Sequence, residues 1–124
     1  MASELRVDTL KDSSGNNSVG MAYVAEGSAK GWSLVNQTST QAVLDSFNVA
    51  SISDDGTGAT RISFTNAFSN SNYSHTNGLQ RVGTSDFVNT GYDSSTTVSE
   101  VEMWSGGSQS DSSKIASSIH GDLA

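Results

Sequence analysis

No cysteine and no proline occur among these 124 residues, and only six are Lys or Arg. Each absence excludes something. Without cysteine there is no disulfide framework, no thiolate metal ligand and no thiol nucleophile. A fold that works outside a cell must then be held by packing and hydrogen bonds. Without proline, turns fall to Gly, Asn, Asp and Ser, and sheet edges need guarding by charge, bulges or burial against another subunit. Six basic residues against 13 acidic ones give a formal net charge of −7. The six are scattered, so neither nucleic acid nor an anionic membrane surface is an expected partner. No apolar run approaches the roughly 20 residues that cross a bilayer, and no membrane insertion is expected. The opening Met1-Ala2-Ser3-Glu4 lacks the basic and apolar segments of a secretory signal. The expected site of synthesis is a cytosol, with any exit by another route.

What remains is a polar, weakly charged chain. Hydrophobic residues make up 34% and charged residues 15%, against about 45–50% (glycine included) and about 25% in an ordinary domain. Ser, Thr, Asn and Gly fill the difference. The length fits one domain, which buries roughly two-thirds of its unfolded surface. The core is therefore real but lean, and lean cores are often completed by oligomerisation.

Hydrophobic alternation points to strands throughout. Leu5 to Leu10 reads as a short extended segment and Lys11 to Ser18 as a turn or linker. Val19 to Val24 reads as a strand or packed extended piece, Glu26-Gly27-Ser28 as a turn, and Ala29 to Val35 as a strand with Trp32 and Leu34 on one side. Ala42-Val43-Leu44 suits either a short strand or one helical turn. The clearest signal is a β-hairpin: Phe47 to Ile52, the turn Asp54 to Gly58, then Thr60 to Thr65 with Ile62 and Phe64 inward and Arg61, Ser63 and Thr65 outward. Further strands are predicted at Tyr73–Asn77, Phe87–Tyr92, Val98–Trp104 and Lys114–His120. Loops are expected at Gly78, at Thr84-Ser85-Asp86 and over Ser105 to Ser113. No long amphipathic helix and no internal repeat is visible.

Chemistry is scarce. His75 and His120 stand apart from any ligand pattern, and structural or surface roles are expected for both. Ser is abundant, but no G-x-S-x-G elbow is present. Glu100 and Glu102 share one strand face with Val98 and Trp104, leaving Val101 and Met103 on the other. A carboxylate pair can flank a glycosidic bond, yet spacing of two along a strand suits a solvated face better. Asp54-Asp55-Gly56 lacks the spaced oxygens and terminal Glu of a Ca²⁺ loop. No enzyme activity, cofactor or metal is expected, and no catalytic residue is assigned.

Several segments, in order, resemble a repeating module. They are Gly27-Ser28-Ala29-Lys30-Gly31-Trp32, Asp45 to Ile52, Asp55-Gly56-Thr57-Gly58, Ile62 to Phe68, and Asn72-Tyr73. The module occurs in tail-fibre and other virion appendage proteins of bacteriophages, particularly marine and cyanobacterial phages. Leu5 to Asn16 resembles the opening of such proteins, and Ile119-His120-Gly121-Asp122 their closing strand. Here the module is nearly the whole chain, which favours a short fibre, head fibre or decoration protein over a long fibre.

The fold expected is all-β: a small antiparallel, jelly-roll-like β-sandwich over residues 19–124, preceded by an extended anchor and linker over residues 1–18. The resemblance implies a homotrimer located on the virion, assembled in the host bacterial cytoplasm and released by lysis. It would attach to other capsid or tail proteins through Leu5, Val7 and Leu10. Alternatives are a capsid decoration protein or a tip that binds a host glycan or receptor. Tyr73, Tyr92 and Trp104 are the candidate interface or receptor contacts, with a core role as the competing reading.

Overall fold

Period-two alternation governs most of the chain. In the computed structural model, which describes residues 3–81, 83, 85–91 and 94–124, it produces strands nearly throughout. The elements in chain order are β1 (Thr9–Lys11), β2 (Ser18–Gly20), α1 (Met21–Gly27), β3 (Gly31–Asn36), β4 (Ala42–Phe47) and β5 (Val49–Gly56). They continue with β6 (Ala59–Phe64), β7 (Ser74–Leu79), β8 (Asp86–Thr90), β9 (Val98–Ser105), β10 (Ser108–Gln109) and β11 (Ile115–His120). β1 and β2 form a hairpin of their own. One main sheet has the order β4-β3-β11-β7. In the other, β9 lies between β6 and β8, β5 flanks β6, and β10 pairs with the end of β9. Every strand pairing is antiparallel.

The two main sheets enclose one core, so the architecture is an antiparallel β-sandwich. Ile62 and Phe64 of β6, Val101 and Met103 of β9, and Ile115 and Ile119 of β11 supply it together with Phe68. Leu79 of β7 and Val88 of β8 pack at its margin. Each such side chain contributes on the order of 1.5–3 kcal/mol through burial. Phe64, Phe68 and Tyr73 form an aromatic corner, with ring centroids 4.7–6.0 Å apart. The Tyr73 hydroxyl donates toward the carbonyls of Ser95 and Val98 at 3.1 and 3.0 Å.

Five local expectations need correction. Glu26 and Gly27 close α1 where a turn was expected, and β10 lies within the loop expected over Ser105 to Ser113. Residues 19–24 are not a strand: β2 ends at Gly20 and α1 begins at Met21. Met, Ala and Glu favour helix, and the pairing with β1 ends at Gly20. Gly78 lies inside β7, not in a loop. Phe47 to Ile52 is not one strand either. Phe47 closes β4 in one sheet and Val49 opens β5 in the other, with Asn48 at φ 58° between them.

That left-handed residue lets the chain cross the sandwich. Asn tolerates the conformation better than most residues because its short side chain bonds locally. Here the bonds are reciprocal. Asn48 Nδ2 donates to Asn66 O at 3.1 Å, and Asn66 N donates to Asn48 Oδ1 at 2.7 Å. The start of β5 is thereby tied to the chain just beyond β6.

At the opposite end Gln37 joins the sheets. Its Nε2 donates to Gly58 O and Thr60 Oγ1, and its Oε1 accepts from Ser112 N. Gly58 has φ 74°, and a Cβ there would fall 2.5 Å from Met103 O, so only glycine fits.

The N-terminal hairpin turns at Asp12 to Asn17. Asp12 accepts from Asn17 Nδ2 and Asn16 N at 2.7 and 3.0 Å. Those bonds, the Asn17 bond foremost, hold its carboxyl below the usual range. β2 runs across the boundary expected between residues 18 and 19.

Asn48→Ala should cost about 2 kcal/mol, from left-handed strain plus two lost bonds. Asn48→Gly should cost about half of that, because it relieves only the strain. Urea unfolding of both variants measures the difference; equal losses would mean that φ at this position is not the constraint.

Candidate functional site

Three surfaces present side chains that the fold does not use. The first is the arm preceding β3. Leu5 and Tyr23 are each 78% exposed, Leu10 is exposed on β1, and Val7 is half-buried. α1 buries none of its residues. Lys30 reaches back to the carbonyls of Ala25 and Ser28, which ties the end of α1 to the start of β3.

The second is the outward face of the β4-β3-β11-β7 sheet. On β3 the burial alternates so that Gly31, Ser33 and Val35 face inward while Trp32 and Leu34 face outward. The expected grouping of Trp32 with Leu34 holds, on the outer side. Trp32 lies directly opposite Phe47 on β4, and both are exposed. A register shift between Leu34 and Val35 leaves Leu44 as an extra, exposed residue. Across β11 and β7 the same face carries Ala116, Ser118, Thr76 and Gly78. A concavity of about 510 Å³ lies there, lined by Leu34, Gly78, Leu79 and Ala116 among others. Asp45 is the sole acid at these outward positions on the four strands.

The third is the outward face of β8 and β9. Phe87 sits opposite Trp104, and their rings are parallel within 3° with centroids 6.2 Å apart. Phe87 is 47% exposed and Trp104 is half-buried. Asn89 opposes Glu102 beside them, and Gln109 of β10 opposes Trp104 on the other side. The Trp104 indole N–H lies 3.5 Å from Glu102 Oε2.

The sequence-derived contacts therefore divide. Trp104 is outward, as expected of a contact residue. Tyr73 is not: it packs on Phe64 and Phe68 with its hydroxyl bonded, so the core reading replaces the receptor reading. Tyr92 lies outside the described residues. Phe87 was not singled out from sequence, because its partner depends on the register of two strands that a loop separates.

The titratable groups are mostly committed to structure. Glu100 was expected on a solvated face but is 6% exposed. Gly91, at the end of β8, lies so close that a Cβ would fall 2.7 Å from the Glu100 side chain, and Arg61 is its cross-strand neighbour on β6. Asp54 accepts from Gly56 N and Gln41 Nε2, and Asp55 pairs with Arg61 at 3.0 Å. Among the described residues no group of three or more His, Asp and Glu is placed to hold a metal. His120 lines a shallow hollow of about 250 Å³ with Glu26, Asn70 and Asp122.

His75 faces inward on β7, with Nδ1 2.8 Å from the hydroxyl of the fully buried Ser99. A Ser–His contact sealed in this way packs the core and presents no nucleophile to solvent. Burial depresses the His75 pKa to about 4, against a smaller opposing effect of Asn77. Its Nε2 has no hydrogen-bond partner.

Comparison of the chain with protein-family models, curated proteins and solved structures gives no match.

The His75 shift sets a pH dependence. The folded-state pKa is below the unfolded value, so the unfolded chain takes up the proton first as pH falls. Stability should be constant from this source above about pH 6.5. It should decline by about 3 kcal/mol between about pH 6.5 and 4. Denaturant unfolding at pH 7 and 5 should show the decline in the parent and a clearly smaller one in His75→Gln. Equal slopes in the two proteins would rule out His75 as the acid-sensitive group.

Proposed function

We propose that this chain is a structural subunit of a bacteriophage virion, a short appendage or fibre that assembles as a homotrimer. It attaches to the particle through the arm that precedes β3. The observation that carries the reading is the arrangement of exposed apolar groups. One set, Leu5, Leu10 and Tyr23, lies on an arm whose helix buries nothing. The other, Trp32, Phe47 and Leu44, lies on a sheet face with a single acid among its outward residues.

Charge explains why self-association would use that face. A chain of net charge −7 repels its own copies over most of its surface. The outward side of β8 and β9 carries Glu102 and Asn89 beside its aromatic pair, whereas the Trp32 face carries Asp45 as its one outward acid among mostly small or apolar side chains. Closing three copies on the apolar face would also cover the β4 edge, where no proline is present to block unwanted pairing. The resemblance to phage appendage modules supplies the virion, and the same proposal covers its partners: capsid or tail proteins at the arm.

Light scattering on the purified protein should give three times the chain mass, and Phe47→Glu combined with Trp32→Glu should reduce it to one. Removing residues 1–28 should leave a folded trimer that is absent from purified particles of the encoding phage. A truncate that still joins the particles would overturn the anchoring role. A monomeric parent would overturn the assembly role.

A further inference from the structure

We propose that the Phe87–Trp104 pair is a binding platform for a neutral polysaccharide, contacted through the faces of its pyranose rings. The two rings come from adjacent antiparallel strands, in register, on the outward side of a sheet. Their planes are parallel within 3° and their centroids 6.2 Å apart. Both rings keep exposed area: Phe87 is 47% exposed and Trp104 is half-buried. The result is two partly exposed aromatic rings, neighbours across two strands of the outward face.

The chemistry around the rings selects the ligand. An aromatic face is electron-rich, and the axial C–H groups of a pyranose form a weakly positive, apolar face that packs on it. Hydroxyls project from the sugar's rim and need donors and acceptors at the platform's edge. Asn89 and Glu102 provide these on one side and Gln109 on the other. The same edge discriminates by charge. Glu102 beside Trp104, in a chain of net charge −7, disfavours sialylated, sulfated or phosphorylated glycans.

A second copy of the chain is a poorer occupant. Placing this face against itself brings Glu102 toward its own counterpart, and like charges at a contact oppose association. The Trp32 face likewise carries one outward acid, Asp45, so the polar rim of the Phe87–Trp104 pair is what favours a hydroxyl-rich ligand over a copy of the chain. The platform stands on its own side chains, independent of any particle. On the virion reading it names the partner as the polysaccharide of a host surface.

Only two tryptophans are present, so Trp32→Phe leaves Trp104 as the sole indole reporter. That protein should be titrated with maltohexaose, cellohexaose and chitohexaose, and in parallel with a heparin hexasaccharide. At least one neutral hexaose should change Trp104 emission saturably. Phe87→Ala should weaken that binding at least tenfold, and Phe87→Tyr, which keeps the ring face, should retain it. Silence from all three neutral sugars up to about 10 mM, tighter binding of the heparin fragment, or indifference to Phe87→Ala would each overturn the platform. Light scattering on the same variants keeps the outcomes separate. A Phe87→Ala protein that loses its assembly state would identify the pair as a subunit contact and also overturn the proposal. Intact assembly without sugar binding would overturn the platform alone.

Discussion

Gln37 is where the two sheets are fastened, and the rest of the sandwich is built around keeping it satisfied. It is 1% exposed, and an unpaired amide at that depth would cost several kcal/mol. Both its N–H groups find acceptors on the β6 side, and its oxygen accepts from Ser112 just ahead of β11. Each partner is fixed in turn. The Thr60 hydroxyl donates to Gln41 Oε1 at 2.5 Å, and Gly58 N donates to Asp111 Oδ1 at 2.7 Å. The amide thus determines how the end of β3, the start of β6 and the approach to β11 meet. Hydrophobic contact alone, with few large side chains, would leave that relation loosely specified.

The lean composition makes such fastening necessary. Inward positions on β3, β9 and β11 include Ser33, Ser99 and Ser117, all buried. Small hydroxyls let the sheets approach closely but add little hydrophobic stabilisation. Two of them are bonded, Ser99 to His75 and Ser117 to Asn77, whereas the Ser33 hydroxyl has no hydrogen-bond partner. The core is therefore divided into an apolar zone around Phe64, Phe68 and Met103 and a polar seam along β7. His75 belongs to that seam, which is why a histidine without a catalytic setting is held neutral.

Legibility in the sequence followed the length scale of the physics. The β5–β6 hairpin was readable because alternation and a Gly-rich turn act within a few residues; Ile62 and Phe64 are buried as expected. The inward pair Val101 and Met103 was readable for the same reason. The Asn48 crossing was not, since a strand that changes sheets keeps its alternation while changing its partner. Nor was the burial of Glu100, which depends on Gly91 lying across it. The short helix at Met21 was hidden by a run that is apolar enough for a strand but has no edge to join. Of the candidate contacts, Trp104 was visible as an outward aromatic, whereas Phe87 becomes significant only through a register that no local pattern encodes.

The two outward faces differ in the property that matters most for a strongly acidic chain. Repulsion between copies is smallest where apolar area is large and acids are few, and the face of Trp32, Leu34 and Phe47 has Asp45 as its one outward acid. On the face of Phe87 and Trp104, Glu102 stands beside the rings with Asn89 and Gln109, and such a rim suits an uncharged ligand that brings hydroxyls. Both faces display aromatics, so aromatic exposure alone would not tell them apart. The groups beside them do: Asn89, Glu102 and Gln109 border the Phe87–Trp104 pair, whereas Trp32 and Phe47 lie among Leu34, Leu44, Ala116 and Ser118. On the readings proposed above, bordering one aromatic pair with polar groups and the other with apolar ones would give a small domain two kinds of surface, one for its own kind and one for a neutral partner.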